Sequence, residues 1–215
     1  MSSTAAARQI AAAYGDWALR LQEDGWTPSL LTLMFRQLRG TPTAVARQME
    51  RETERVYGRF ITRVRRNPHA LSSIGRLPLW ICSPDYPVFK HAKQSLADVT
   101  VNDGRHLHVI DFQPPAAHSR LPVPIADHFA SDQGIYVHSD YPLLRLHAVP
   151  ITHDLGAVVD YTLKALRRGL LGEDGVFILP RSRSELPMRG GLLKGQRGAG
   201  AVLGMRDLSD DRALC

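Results

Sequence analysis

The chain has 215 residues, of which 44% are hydrophobic, with 27 Lys and Arg against 21 Asp and Glu for a formal charge of +6. That length suits one domain with some extra at the ends, and the apolar content excludes wholesale disorder. The positive balance favours a polyanionic partner, nucleic acid before an anionic membrane.

No run of about twenty apolar residues occurs, so no membrane-spanning helix and no membrane partner are expected. The N-terminus lacks the basic–apolar–cleavage pattern of a signal peptide. Cys82 and Cys215 fit neither a zinc motif nor a disulfide framework, which points to a reduced, cytoplasmic setting.

In chain order, residues 4–23 are expected to be helical, because Ala is frequent and Ile10, Trp17 and Leu21 recur at near-helical spacing. Gly25-Trp26-Thr27-Pro28 breaks that helix. Residues 30–35, Leu-Leu-Thr-Leu-Met-Phe, are short, apolar and turn-bounded, as a buried strand is. Thr41 and Pro42 then open the longest helical segment as N-cap and first helical residue. Val45, Met49, Val56 and Phe60 line its buried side. Arg47, Arg51, Arg55, Arg59, Arg63 and Arg66 form a basic stripe, interleaved with Glu50, Glu52 and Glu54. A solvated face with local ion pairs is the favoured reading of that stripe, ahead of a DNA-tracking surface.

Residues 77–82 form the next expected strand, and Ser83-Pro84-Asp85-Tyr86-Pro87 a turn. Residues 97–101 are a further strand candidate, and Asn102-Asp103-Gly104 is a tight-turn signal. Residues 105–112 return as a strand carrying His106 and His108, the second arm of a hairpin. Residues 114–139 are rich in Pro, His and Asp and are expected to be an irregular surface connection. Residues 143–149 form another strand, and residues 154–168 a helix. From Gly169 the patterning fades, and residues 181–200 are rich in Gly, Arg, Ser and Lys.

Two short signals carry chemistry. Residues i and i+2 of a strand share a face, so His106 and His108 present two imidazoles side by side, as ligands of one metal ion. Residues i and i+3 of a helix are neighbours, so Tyr161 sits beside Lys164. At about 100° per residue, Leu155, Val159, Leu163, Leu166 and Leu170 fall in one sector, and Tyr161, Lys164, Ala157 and Arg168 in the opposite one. Tyr161 is therefore turned away from the core of its own helix. A phenol with a pKa near 10 is a poor nucleophile until a cation favours the phenolate. A divalent ion on a phosphate makes its phosphorus electrophilic. Together these are the parts needed to break a phosphodiester by covalent catalysis.

Other site types fit less well. A histidine-triad hydrolase needs a third alternating His where Ile110 stands. A cupin-type site needs a Glu within residues 111–115, which hold none. No P-loop and no zinc-finger spacing occur.

The order of residues 30–35, His-Leu-His-Val-Ile-Asp-Phe (106–112) and Asp-Tyr-Thr-Leu-Lys-Ala-Leu (160–166) resembles the three motifs of rolling-circle replication initiators of the HUH endonuclease superfamily. The resemblance implies an α+β fold, a central antiparallel β-sheet flanked by helices. The chain is expected to divide into a helical extension over residues 1–26, the endonuclease domain over 27–170, and a basic, Gly/Arg-rich flexible tail over 171–215. The resemblance implies Mg²⁺ or Mn²⁺ on His106 and His108, with Tyr161 as nucleophile and Lys164 as its helper. A third metal ligand is expected, with Asp85 and His147 as candidates. Arg105, Arg145, Arg167 and Arg168 are candidate contacts to nucleic acid.

The implied substrate is single-stranded DNA at a replication origin of a plasmid or phage. The implied product is a 5′-phosphotyrosine bond, with a separate host helicase unwinding the duplex. Two other readings stay open: a DNA-binding regulator that keeps the fold without the chemistry, and a single-Tyr transposase or relaxase relative.

Overall fold

The computed structural model describes residues 3–85, 105–171 and 175–181. Helix α1 (Ser3–Glu23) ends at Gly25, whose φ of +84° is the left-handed backbone that favours glycine. Strand β1 (Thr27–Phe35) follows directly and begins earlier than the apolar run alone suggests. Helix α2 (Pro42–Val64) starts as its cap chemistry dictates: Thr41 Oγ1 accepts the Ala44 N–H at 3.2 Å. Strands β2 (Leu79–Asp85) and β3 (His106–Gln113) come next. Short helices α3 (Ile125–Ser131) and α4 (Gln133–Tyr136) lead to strand β4 (Leu143–Pro150). Helices α5 (Leu155–Thr162) and α6 (Lys164–Arg167) and strand β5 (Phe177–Leu179) complete the described elements.

The protein is α+β. The five strands among the described residues form one antiparallel sheet in the order β4-β1-β3-β2-β5, with helices on both faces. Period-2 alternation sorts the side chains. Leu31, Leu33, Trp80, Cys82, Leu107, Val109, Leu146, Phe177 and Leu179 point to one face, where Val45, Met49, Val56 and Phe60 of α2 cover them. Leu79, Ile81, Ile110 and Phe112 point to the other, under Ala7, Ala11, Ala18 and Leu21 of α1 and Leu155, Val159, Leu163 and Leu166 of α5 and α6. Each buried aliphatic or aromatic side chain contributes roughly 1.5–3 kcal/mol. Slipping one strand by one residue would expose its whole set.

Two expectations are corrected. Residues 83–85 are not a turn, because β2 runs on through Ser83, Pro84 and Asp85, opposite His108, Leu107 and His106. Proline is tolerated there because β5 pairs only with Trp80, Ile81 and Cys82, so β2 is an edge at Pro84 among the described residues. Residues 114–139 are not irregular throughout. They hold α3 and α4, which bury His128, Phe129 and Tyr136. His128 Nε2 lies 2.7 Å from Tyr136 Oη, and its Nδ1 lies 3.1 Å from Asp132 Oδ2, so polar atoms lie within hydrogen-bond distance on both sides of the ring.

Helix α1 closes the same core as α5 and α6. Residues 175–181 belong to the sheet through β5, and Arg181 pairs with Glu50 and Glu54 of α2. The strand expected at 97–101, the turn at 102–104 and the basic stretch from 182 onward lie outside the described residues.

The arginine stripe of α2 divides in two. Arg55 binds Glu52 and donates to the Tyr136 carbonyl at 2.6 Å, and Arg59 donates to the Ile135 carbonyl at 2.6 Å. Arg65, at the end of α2 and outside the stripe, also reaches the His118 carbonyl at 3.2 Å. These three fasten α2 to its neighbours, while Arg47, Arg51, Arg63 and Arg66 stay exposed.

Gln133 closes the outer edge of β4: its amide donates to the Leu146 carbonyl and accepts the Leu146 N–H at 3.3 Å. An open edge invites pairing with another chain. Gln133→Leu is expected to give concentration-dependent association in light scattering, while the parent chain shows less.

Asp111 is fully buried beneath α2's side of the sheet. Burial pushes its carboxyl up to about 8, against the hydrogen bonds from Gln113 Nε2 at 2.7 Å and Trp80 Nε1 at 2.6 Å. The unfolded carboxyl titrates near 3.9, so between these values the folded state holds the extra proton. Stability therefore falls as pH rises from about 4 through about 8, by at most about 1.4 kcal/mol per pH unit. Asp111→Asn should flatten this slope in urea melts at pH 5 and pH 8.

Candidate functional site

On the face beneath α1, α5 and α6 the sheet changes character along its strands. Strand β3 reads Phe112, Ile110, His108, His106, and β2 reads Leu79, Ile81, Ser83, Asp85. The apolar ends are roofed by helices, and the polar ends converge at the margin of that roof. Asp85 stands directly opposite His106, and His108 is the next residue of β3 on this face.

Asp85, His106 and His108 form one compact group. His106 Nε2 and His108 Nε2 are 3.1 Å apart, and Asp85 Oδ2 lies 3.2 Å from the first and 3.5 Å from the second. Ligand atoms held about 2.1 Å from one ion stand about 3 Å apart, which is this spacing. Asp85 and His108 are buried, and His106 is part-exposed. Asp85 Oδ1 is buried with no hydrogen-bond partner, a costly state for a carboxylate that a cation relieves. The group can hold a divalent metal ion.

The charge states suit that role. Burial raises the Asp85 carboxyl, but hydrogen bonds with His106, His108 and Lys164 outweigh it and hold the group well below the usual carboxylate range. Burial lowers the His108 imidazole below its ordinary value, opposed by Asp85, which favours the neutral form a ligand needs. Burial also works against the Lys164 ammonium, but Asp85 beside it raises its pKa overall, so the cation persists at neutral pH.

Tyr161 and Lys164 arrive from the roof. Asp154 caps α5 through Oδ1, which accepts the Ala157 N–H at 2.9 Å. Leu155, Val159, Leu163 and Leu166 are buried, as the periodicity predicts, but Leu170 is 54% exposed. The helix stops short of it. Gly169, with φ of +68°, and the bond from the Leu170 N–H to the Ala165 carbonyl form a Schellman end. The path is also interrupted at Leu163, between α5 and α6.

Tyr161 is half-exposed, and its ring centroid lies 5.3 Å from that of His108. Lys164 Nζ sits 4.2 Å from the centre of the Tyr161 ring and donates to Asp85 Oδ2 at 2.7 Å. One ammonium thus touches both halves of the site.

Of the two candidates for a third ligand, Asp85 is in the group and His147 is not. His147 pairs with Thr32, and Thr32 pairs with His108, so His147 stands two strands away, roughly 10 Å off. Alternation counted from Leu79 through Pro84 places Asp85 on the His face, but the turn reading of 83–87 conceals this. Arg145 is exposed on the same face, in a row with Met34 and His106. Arg105 immediately precedes β3, Arg167 pairs with Asp160, and Arg168 is exposed at the end of α6. Sequence reasoning gave Thr32 no role at the site, yet its Oγ1 lies 3.3 Å from His108 Nδ1.

Comparison with protein-family models, curated proteins and solved structures finds no match to this chain. No helix among the described residues is long and apolar enough to cross a membrane.

Calorimetric titration with Mn²⁺ separates the two candidate ligands. Asp85→Ala should weaken binding by at least about tenfold, whereas His147→Ala should leave it near wild type.

Proposed function

We propose that the protein is a metal-dependent single-strand DNA endonuclease and transesterase of the HUH type, acting at a replication origin of a plasmid or phage. The observation that carries this reading is the meeting of Tyr161 with the Asp85–His106–His108 group, its ring 5.3 Å from His108 and its face under the Lys164 ammonium. A phenol, a cation and a cluster of metal-ligand atoms drawn from separate elements serve phosphoryl transfer better than they serve stability.

Asp85, His106 and His108 would hold Mg²⁺ or Mn²⁺ in this reading, which would supply neutralisation of phosphate charge and a more electrophilic phosphorus. Tyr161 Oη attacks that phosphorus, and its proton passes to the solvent that reaches the half-exposed ring. The P–O3′ bond breaks as the Oη–P bond forms. The leaving 3′-oxygen takes a proton from water, giving a free 3′-hydroxyl and a 5′-phosphotyrosine. Lys164 keeps its proton, favours the phenolate and offers an ammonium to a phosphate oxygen. Attack of a 3′-hydroxyl on the phosphotyrosine reverses the sequence and rejoins a strand. Arg145 and Arg168, exposed near the two halves of the site, supply contacts to the DNA backbone. A separate helicase unwinds the duplex.

Incubation with single-stranded DNA and Mn²⁺, followed by denaturing electrophoresis, should show a covalent adduct with the wild type and none with Tyr161→Phe. Lys164→Ala should slow adduct formation by about 10²-fold. An adduct formed equally well by Tyr161→Phe removes Tyr161 as nucleophile.

A further inference from the structure

Thr32 lies at the centre of the first sequence motif, and the proposed reaction gives it no task. It occupies β1, a strand paired on both sides, and is the direct partner of His108 on one side and of His147 on the other. Directly opposed residues bring their Cβ atoms within about 5.5 Å. Its Oγ1 stands 3.3 Å from His108 Nδ1.

A neutral imidazole carries one N–H, and only the other nitrogen has a lone pair for a metal. His108 turns Nε2 toward Asp85 and His106, so its proton must sit on Nδ1 when an ion is bound. The ring is 5% exposed, so an Nδ1–H without an acceptor is costly. Ser83, the other cross-strand neighbour of His108, directs its hydroxyl to the Pro84 carbonyl at 3.5 Å. Among the described residues, Thr32 Oγ1 is an acceptor within reach. A β-branched side chain has few χ1 choices, so the hydroxyl is held where the ring needs it.

We infer that Thr32 is a positioning residue for the metal centre, whose hydroxyl accepts the Nδ1–H of His108 and so presents Nε2 to the ion. The inference rests on the metal-centre reading of Asp85, His106 and His108, and not on the nuclease reading. It assigns the polar residue of an otherwise apolar strand motif a task. It also predicts that Val cannot replace Thr in this task, although both suit a central strand.

The test has two arms. Thr32→Val keeps the shape and removes the acceptor, and should bind Mn²⁺ about 10- to 100-fold more weakly in calorimetry. Thr32→Ser keeps a hydroxyl and should retain wild-type affinity. In the unsubstituted protein saturated with Mg²⁺, ¹⁵N NMR should show His108 protonated at Nδ1. Protonation at Nε2, or wild-type affinity in a folded Thr32→Val, overturns the role of Thr32. The NMR arm needs no variant, so a Thr32→Val that fails to fold leaves the inference testable. His106→Ala with His108→Ala separates the two levels. If that double variant binds Mn²⁺ like wild type, the metal centre itself is wrong. If it loses binding while Thr32→Val does not, only the role of Thr32 falls.

Discussion

The antiparallel register of β2 against β3 is the constraint on which the site depends. It sets Asp85 opposite His106 and Ser83 opposite His108, so that a carboxylate and two imidazoles share one face within hydrogen-bond distance of one another. No single residue chooses that register. Leu79 and Ile81 on β2, with Ile110 and Phe112 on β3, bury together under α1 and α5, and Trp80 and Cys82 with Val109 bury together on the other face. A slip by one residue turns both sets toward the wrong side. The apolar ends of the strands thus determine where the polar ends lie.

The second constraint is the bridge between sheet and roof. Lys164 binds Asp85 and lies over Tyr161, so the ion pair locates α6 relative to β2 as well as holding a charge near a phenol. Half-burial gives such a pair more weight than an exposed one, although part of the Coulomb gain is spent on desolvating both groups. The arrangement makes Asp85 a hub. Its Oδ2 serves the two imidazoles and the ammonium, while Oδ1 remains unsatisfied.

Much of this was legible in the sequence where a local period or cap governs. The Thr41–Pro42 start of α2, the alternating His pair and the orientation of Tyr161 follow from spacing alone. Asp85 was legible only as one of two options, because Pro84 resembles a turn signal when it is in fact an edge-strand residue. His147 was equally plausible in one dimension. It is removed by strand order, which inserts β1 between β3 and β4 and which no local pattern encodes. Helices α3 and α4 are too short to show a clear period, and tertiary burial of His128, Phe129 and Tyr136 holds them. Strand β5 is three residues long beside a Gly/Arg-rich stretch, and cross-strand pairing with β2 is what defines it. The role of α1 in the core was hidden for another reason, namely that its buried face is made largely of alanine.

That alanine face governs how closely α1 can seat. Ala7, Ala11 and Ala18 are buried in the cluster that α1 shares with the sheet, α5 and α6, and α1 packs against both helices. The separation of two packed helices follows the size of the side chains between them. Alanines on the buried face of α1 therefore let it lie close to the elements it covers, among them α5 and α6, which bring Tyr161 and Lys164 to the site. Enlarging one of these alanines would act on the seating of α5 and α6, and through them on Tyr161 and Lys164, with every chemical group of the site left unchanged.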